Sequence, residues 1–253
     1  MIKGVVLDLD GVVYFGSRPA KGVVAAIGLI RRAGLRLCFL TNNSARSRRG
    51  IIRKLAGLGI RAELDEVMTS GYAAARYLAR ARARRVMVLG TGELAGEFRR
   101  LGLPLTRRPA CSHLVVGFDP RFNYERLAVG LTALLGGARF VACNEVPNYP
   151  VEGGRLVPGL GAIVGALTAA AGRGPDVVIG KPRLGMLREL AADWRLLPAE
   201  ILVVGDDPAI EIAMARDFGA RSVLVGGRRP GSARPDFRIQ AIGGLWPVLE
   251  KLI

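Results

Sequence analysis

Histidine and cysteine are scarce in this chain. His113 is the only histidine among 253 residues, and Cys38, Cys111 and Cys143 stand far apart with no C-x-x-C pair. That scarcity excludes a structural zinc site and a disulfide framework, both of which need clustered or paired ligands. Cys38 falls in an apolar strand-like run and reads as a small core residue. Long apolar runs are missing too. The longest, Leu156 to Gly172, is rich in Gly and Ala and broken by Pro158, short of the ~20 residues that a membrane span needs. The apolar run at the N-terminus is interrupted by Asp8 and Asp10, and no small-residue cleavage site follows it. Neither a secretory signal nor a membrane partner is expected, and the protein reads as cytoplasmic. Low-complexity tracts, internal repeats and long blocks of like charge, which would mark disorder, are absent as well.

Negative charge is in short supply. Asp and Glu number 21 against 37 Lys and Arg, a formal net charge of +16, and only five of the basic residues are lysines. The arginines are scattered in short groups: Arg31-Arg32, Arg46 to Arg49, Arg80 to Arg85, Arg107-Arg108 and Arg228-Arg229. Aromatics make up 6% of the chain and do not interleave with these groups as a base-stacking platform requires. The arginine skew fits genome base composition or a hot habitat at least as well as binding. No specific nucleic-acid partner is therefore expected, while a generally positive surface attracts phosphorylated substrates.

What the chain does have is apolar residues, half of the total, enough for a sizeable core in one large domain or two smaller ones. They alternate between two patterns. Strand-like runs cover Val5–Leu9, Leu35–Leu40, Val86–Gly90, His113–Gly117, Phe140–Ala142, Val177–Ile179, Ile201–Gly205 and Ser222–Val225. Helical patterns cover Gly22–Arg32, Ser47–Gly57, Gly71–Ala81, Glu93–Leu101, Tyr124–Leu135, Gly159–Ala171, Leu184–Asp193 and Ala209–Phe218. This alternation predicts an α/β fold of parallel sheets covered by helices. Gly34, Gly59, Gly102 and Gly219 read as helix stops, and Ser44 or Ser47 as the cap of the helix after the second strand.

Polar residues cluster where these strands end, the place at which open α/β sheets put their sites. The first strand closes on Asp8-Leu9-Asp10-Gly11. Strand alternation would send both carboxylates to one side, unless a turn at Gly11 relaxes it. Two carboxylates so close call for a cation or a proton between them, so Asp8 and Asp10 read as a Mg²⁺ site or as two solvated aspartates at a strand-to-turn junction. The second strand closes on Thr41-Asn42-Asn43, donors for phosphate oxygens or a polar helix cap. Val178-Ile179-Gly180-Lys181-Pro182 sets a lysine after a strand, with Pro182 opening the next helix. Ile201-Leu202-Val203-Val204-Gly205-Asp206-Asp207 ends in acid, and Glu211 follows on the first helical turn. These are oxygen ligands suited to Mg²⁺, or the ordinary acidic bias of a helix N-terminus.

Taken in order, D-x-D-G, apolar-T-N, G-K-P and apolar-G-D-D resemble the four-motif series of the haloacid dehalogenase (HAD) superfamily, and the resemblance covers nearly the whole chain. Asp8 and Thr41 lie 33 residues apart, and Thr41 and Lys181 lie 140 apart. Core β-α units take roughly 40 of those 140, leaving about 100, enough for a domain. A cap in that position resembles the class IIA members, the NagD-like and 4-nitrophenyl phosphatase-like enzymes. Within it, Ala142-Cys143-Asn144-Glu145 and Val151 to Gly161 are similar to that class's T-N-x-D and P-G-x-G segments.

The resemblance implies a Rossmann-like core over 1–80 and 178–253, with helices on both faces of its sheet, and an inserted α/β cap over 81–177 that sets specificity. It implies a Mg²⁺-dependent phosphohydrolase of small phosphorylated metabolites: 4-nitrophenyl phosphate, phosphoglycolate, nucleotide or sugar phosphates. Asp8 is implied as nucleophile and Asp10 as general acid–base. Thr41, Asn42 and Lys181 are implied as the phosphate-binding residues, and Asp8, Asp10 (through its carbonyl) and Asp206 as the metal ligands. Asp207 or Glu211 would support the metal site from outside. By analogy two copies pair through the cap. Two departures stand out. Many members carry G-D-x-x-x-T-D where this chain has Gly205-Asp206-Asp207-Pro208-Ala209-Ile210-Glu211, and Asn144-Glu145 replaces the usual N-P-D. The G-D-D form also occurs among relatives acting on pyrophosphate or phospho-amino acids, which makes such a phosphatase the alternative reading, followed by a non-catalytic binder of phosphorylated ligands.

Overall fold

Aliphatic runs of four to six residues, too short for helices and rich in β-branched side chains, form the longer strands. The computed structural model describes residues 1–150, 155–226 and 233–253. Part of the segment likened to P-G-x-G (151–154) and the Arg228-Arg229 pair lie outside the described residues. Strands run over Gly4–Asp8 (β1), Tyr14–Phe15 (β2), Arg18–Pro19 (β3), Arg36–Thr41 (β4), Val67–Thr69 (β5), Val86–Leu89 (β6) and His113–Val116 (β7). They continue with Arg139–Ala142 (β8), Asn148–Pro150 (β9), Leu156–Pro158 (β10), Val177–Val178 (β11), Ile201–Gly205 (β12), Arg221–Val225 (β13) and Phe237–Ile239 (β14). Helices cover Val23–Arg32 (α1), Arg48–Gly57 (α2), Ser70–Arg80 (α3), Gly92–Arg100 (α4), Tyr124–Leu135 (α5), Leu160–Ala171 (α6), Gly185–Trp194 (α7), Ala213–Phe218 (α8) and Trp246–Leu249 (α9).

The chain divides into two units. One comprises Met1–Thr41, Ile52–Met68 and Lys181–Ile253, the other Asn42–Ile51 and Thr69–Gly180. In the first, the strand order is β14-β13-β12-β1-β4-β5. β12, β1 and β4 run parallel, with Val6 opposite both Val203 and Cys38. Val5, Val6, Leu7 and the Ile201–Val204 run are essentially inaccessible, as strands covered on both faces must be. The order of connection reverses between β1 and β12. The ends of these two strands therefore flank a topological switch point, and Asp8 and Asp206 stand there.

The second unit has its own parallel sheet, β11-β8-β7-β6, with α3 packed on α4 and α5 on α6. Its limits differ from the range 81–177 read from the sequence, for two reasons. α3 packs on α4, and β11 pairs with β8 rather than with a strand of the larger sheet.

The four glycines read as helix stops all take positive φ, between 70° and 82°. Ser47 is the cap before α2, its Oγ accepting from the Gly50 N–H at 3.1 Å. Ser44 Oγ instead accepts from the Phe118 N–H at 2.9 Å. The expected helix over Ala209–Phe218 opens with a π turn, Pro208–Ile212, and becomes α-helical only at Ala213. Pro182 does not open a helix: it lies ahead of α7, after a cis Lys181–Pro182 bond. Cys38, Cys111 and Cys143 are buried free thiols. No helix among the described residues is long and apolar enough to cross a membrane.

A polar clamp ties β13 to the segment before β14. Asp236 accepts from the Ser222 N–H and Oγ–H, each at 2.8 Å, and from Arg221 Nη1 at 2.8 Å. Burial works against its charge, but these bonds outweigh burial and hold the carboxyl below its ordinary value of 3.8. A carboxyl depressed in the folded state contributes stability above its unfolded pKa, and that stability disappears as pH falls through the folded value. Asp236→Ala should cost about 1 kcal/mol at pH 7, allowing for solvent screening of the arginine pair. The gap between variant and wild type should begin to narrow below about pH 4 and go on narrowing as pH falls through the folded value. Urea unfolding at pH 7 and pH 3 checks both statements.

Candidate active site

β1 ends at Asp8, and the chain turns at once. Leu9 O accepts from the N–H groups of Val13 and Tyr14, so strand alternation does not continue to Asp10. Asp8 is buried while Asp10 is exposed, and the charge of Asp10 still reaches the Asp8 carboxyl. Gly11 makes this turn with φ of 91°. A Cβ there would stand 2.4 Å from Asp206 Oδ2, so only glycine lets the turn pass the acid that ends β12.

Three carboxylates converge at the ends of β1 and β12. Asp8, Asp206 and Glu211 each offer an oxygen, all within 4.8 Å of one another. Lys181 joins them, its Nζ donating to Asp8 Oδ1 at 2.5 Å and to Glu211 Oε1 at 2.6 Å. Lys181 is 5% exposed, Asp8 7% and Glu211 4%, so one buried cation stands between two buried anions. Burial, with the charges of Asp10 and Asp206, pushes Asp8 up to about 6 against the pull of Lys181. Glu211 is likewise pushed up, to about 7, chiefly by burial. Burial acts to lower the Lys181 pKa, but the charges of Asp8 and Glu211 overcome it and raise the ammonium above its ordinary range. Carboxylates held this far up are short of positive charge. An all-oxygen donor set with that shortage fits a hard divalent cation.

The local sequence explains why Glu211, rather than its neighbour, faces inward. Asp207 caps the π turn, its Oδ1 accepting from the Ala209 N–H at 2.8 Å. The extra residue of that turn swings Glu211 back toward β12, where its Oε2 accepts from the Asp207 N–H at 3.2 Å. Gly205 permits the approach, since a Cβ there would stand 2.2 Å from Glu211 Cβ. Single-turn π segments of this kind recur at functional sites.

Thr41 ends β4, beside β1, with Leu40 paired opposite Asp8. It is 3% exposed. Asn42 belongs to the second unit, where its carbonyl accepts from Ser70 Oγ at 2.8 Å and from Asn144 Nδ2 at 2.7 Å. Sequence reasoning missed Ser70, which carries no motif around it. Asn144 was legible only through the family likeness of its segment. Beside Asp206 a cleft of about 410 Å³ opens, lined by Gly11, Val12, Phe15, Lys21 and Gln240 among others. His113 opens β7 with Ser112 Oγ 2.9 Å from its Nδ1, a strand-end position in the second unit.

Comparison with known proteins gives the family. A family model described as haloacid dehalogenase-like hydrolase matches residues 5–104, and one described as HAD-hydrolase-like matches 178–241. The chain is 32% identical over 283 residues to glycerol-3-phosphate phosphatase of Gallus gallus, an alignment covering 96% of this chain and 90% of that protein. The p-nitrophenyl phosphatase from Archaeoglobus fulgidus superposes with a TM-score of 0.91 at 31% identity, covering 98% of this chain and 99% of the other. A glycerol phosphate phosphatase of Mycobacterium tuberculosis, crystallised in complex with magnesium, superposes with a TM-score of 0.86 at 33% identity, covering 95% of this chain and 75% of that one.

Proposed function

The chain belongs to the haloacid dehalogenase-like hydrolases, and on that premise we propose that it is a Mg²⁺-dependent phosphohydrolase of small phosphorylated metabolites, working through a phosphorylated Asp8. The observation that carries the reading is the buried Asp8–Lys181–Glu211 cluster with Asp206 at the switch point of the sheet. A nucleophilic carboxylate needs a cationic surround to meet a phosphate dianion: Lys181 supplies one positive charge, and the charge still wanting among the three carboxylates is what a divalent cation would supply.

The chemistry divides one difficult displacement into two easier ones. An Asp8 oxygen attacks phosphorus while the bond from phosphorus to the leaving oxygen breaks, and Asp10 gives that oxygen its proton. Water then attacks the phosphorus of the aspartyl phosphate and gives a proton to the Asp10 carboxylate. Inorganic phosphate leaves and Asp8 is restored. Asp8, Asp206 and the Asp10 carbonyl would hold Mg²⁺, which when bound supplies positive charge against the phosphoryl oxygens. Lys181 and the Thr41 hydroxyl face the same charge, and Asn42 orients the site; positioning and electrostatics carry most of such a transfer. Glu211 anchors Lys181, whereas Asp207 serves the turn.

We assign the role of cap to the unit formed by Asn42–Ile51 and Thr69–Gly180, where side chains would select the organic part of the substrate. The relatives named above act on glycerol phosphates and 4-nitrophenyl phosphate, which supports phosphomonoesters over pyrophosphate. A cytoplasmic location and pairing of two copies through the cap complete the reading, and light scattering of the purified protein tests the pairing.

The experiment is phosphate release from a panel holding glycerol 3-phosphate, phosphoglycolate, a nucleotide, a sugar phosphate, pyrophosphate, phosphoserine and 4-nitrophenyl phosphate, with Mg²⁺ or with EDTA. Release from monoesters that stops in EDTA is expected. Release unaffected by EDTA, or none from any compound, overturns the proposal.

A further inference from the structure

Asp10 differs from the other acids of the site in being exposed, so burial does not fix the direction of its carboxyl. The Cβ–Cγ torsion of an aspartate is broad and roughly two-fold, and the two oxygens exchange unless something holds one of them. Here something does. Tyr14, four residues on and 1% exposed, donates its phenol O–H to Asp10 Oδ2 at 3.3 Å. The backbone seats the ring independently: Tyr14 N donates to Leu9 O at 3.1 Å, Tyr14 O accepts from Gly11 N at 2.9 Å, and residues 10 and 14 form a β-bridge. Over the ring lies Lys54 of α2, its Nζ 3.6 Å from the centroid. A cation on the π face draws electron density from the ring and makes the phenol a better donor. Among the described residues no other side chain hydrogen-bonds Asp10.

We propose that Tyr14 is a positioning residue for proton transfer, holding Asp10 Oδ2 so that Oδ1 carries the proton to the leaving oxygen, and that Lys54 strengthens this hold from above the ring. The proposal rests on the reading of Asp10 as general acid–base. It is balanced by the step already given: Oδ1 loses its proton as the bond from phosphorus to the leaving oxygen breaks, and regains one from water.

The test uses two substrates that share a ring and differ in the basicity of the oxygen released. 4-Nitrophenolate departs without a proton, whereas phenolate needs one more. In Tyr14→Phe, kcat/KM for phenyl phosphate should fall about 10-fold and that for 4-nitrophenyl phosphate about 2-fold, a part of what general acid catalysis contributes. Their ratio then drops about 5-fold. Lys54→Met, which keeps the apolar stem and removes the charge, should lower the ratio about 2-fold and decides the matter if Tyr14→Phe does not fold. A merely structural role would lower both substrates alike. An unchanged ratio in both variants, with the wild type active, overturns this inference and leaves the hydrolase reading standing. A wild type that cleaves neither compound strikes the hydrolase reading first.

Discussion

Asp8→Asn is expected to lower phosphate release by about 10⁴-fold or more while the protein stays folded, because it removes the nucleophile and leaves a side chain of the same shape in its place. The amide is isosteric and neutral. It gives up the ion pair with Lys181, but it also ends the cost of keeping a charge at a buried position where burial already pushes the carboxyl up to about 6. Lys181 keeps Glu211 as partner at 2.6 Å, so no buried cation is stranded. These terms oppose each other, and the melting temperature measured in EDTA should move by no more than about 3 °C, the equivalent of about 1 kcal/mol in a chain of this size. Phosphate release with Mg²⁺ and calorimetry with EDTA read the two halves separately. Retained activity in the variant would refute the aspartyl-phosphate route. A collapse of the fold would show that Asp8 holds the structure together as well as acting in it.

Lys181→Met should be costly on both counts. The ammonium is the partner of two carboxylates that are each more than nine-tenths buried. Removing it leaves like charges facing each other without compensation, a change that typically destabilises by about 3–5 kcal/mol. Activity should fall by about 10³-fold, since the same group faces the phosphoryl oxygens. The double variant Lys181→Met with Glu211→Gln separates the effects. Neutralising Glu211 relieves part of the repulsion, so unfolding by urea in EDTA should recover about half of the lost stability, while phosphate release stays down. Recovery of activity in the double variant would mean that Lys181 acts only as a structural counter-ion.

Much of the architecture was legible because the large strands are local apolar runs. Ile201–Gly205 and Tyr124–Leu135 are found at the expected limits, and the other principal strands and α1 to α7 lie within one residue of theirs at each end. The short elements were not legible. Val67–Thr69 is a three-residue strand, and Tyr14–Phe15 and Arg18–Pro19 are two-residue strands held by backbone bonds to one another. Nothing in so few side chains distinguishes them from loop. Phe237–Ile239 is a strand because β13 lies beside it, a partner the local sequence does not announce.

The chemistry of the site divides along the same line. The sequence by itself determined which strand ends carry acid, hydroxyl and lysine, since an apolar run closing on a polar group needs no distant partner to be recognised. It determined the order of those ends, and through their spacing the room for an inserted domain. Only the tertiary structure set Glu211 in the buried acidic cluster beside Lys181 and Asp207 at the start of the turn. The π turn that swings Glu211 onto Lys181 depends on Gly205 leaving space beneath it, a contact across the turn that residue types alone do not specify. Only the tertiary structure seated Lys181 between Asp8 and Glu211, 173 and 30 residues away, and stacked Lys54 over the ring that holds Asp10. Such pairings follow from which strands and helices pack together, and in a parallel sheet that depends on non-local hydrogen bonds and shared burial, neither of which is written in any local stretch of the chain.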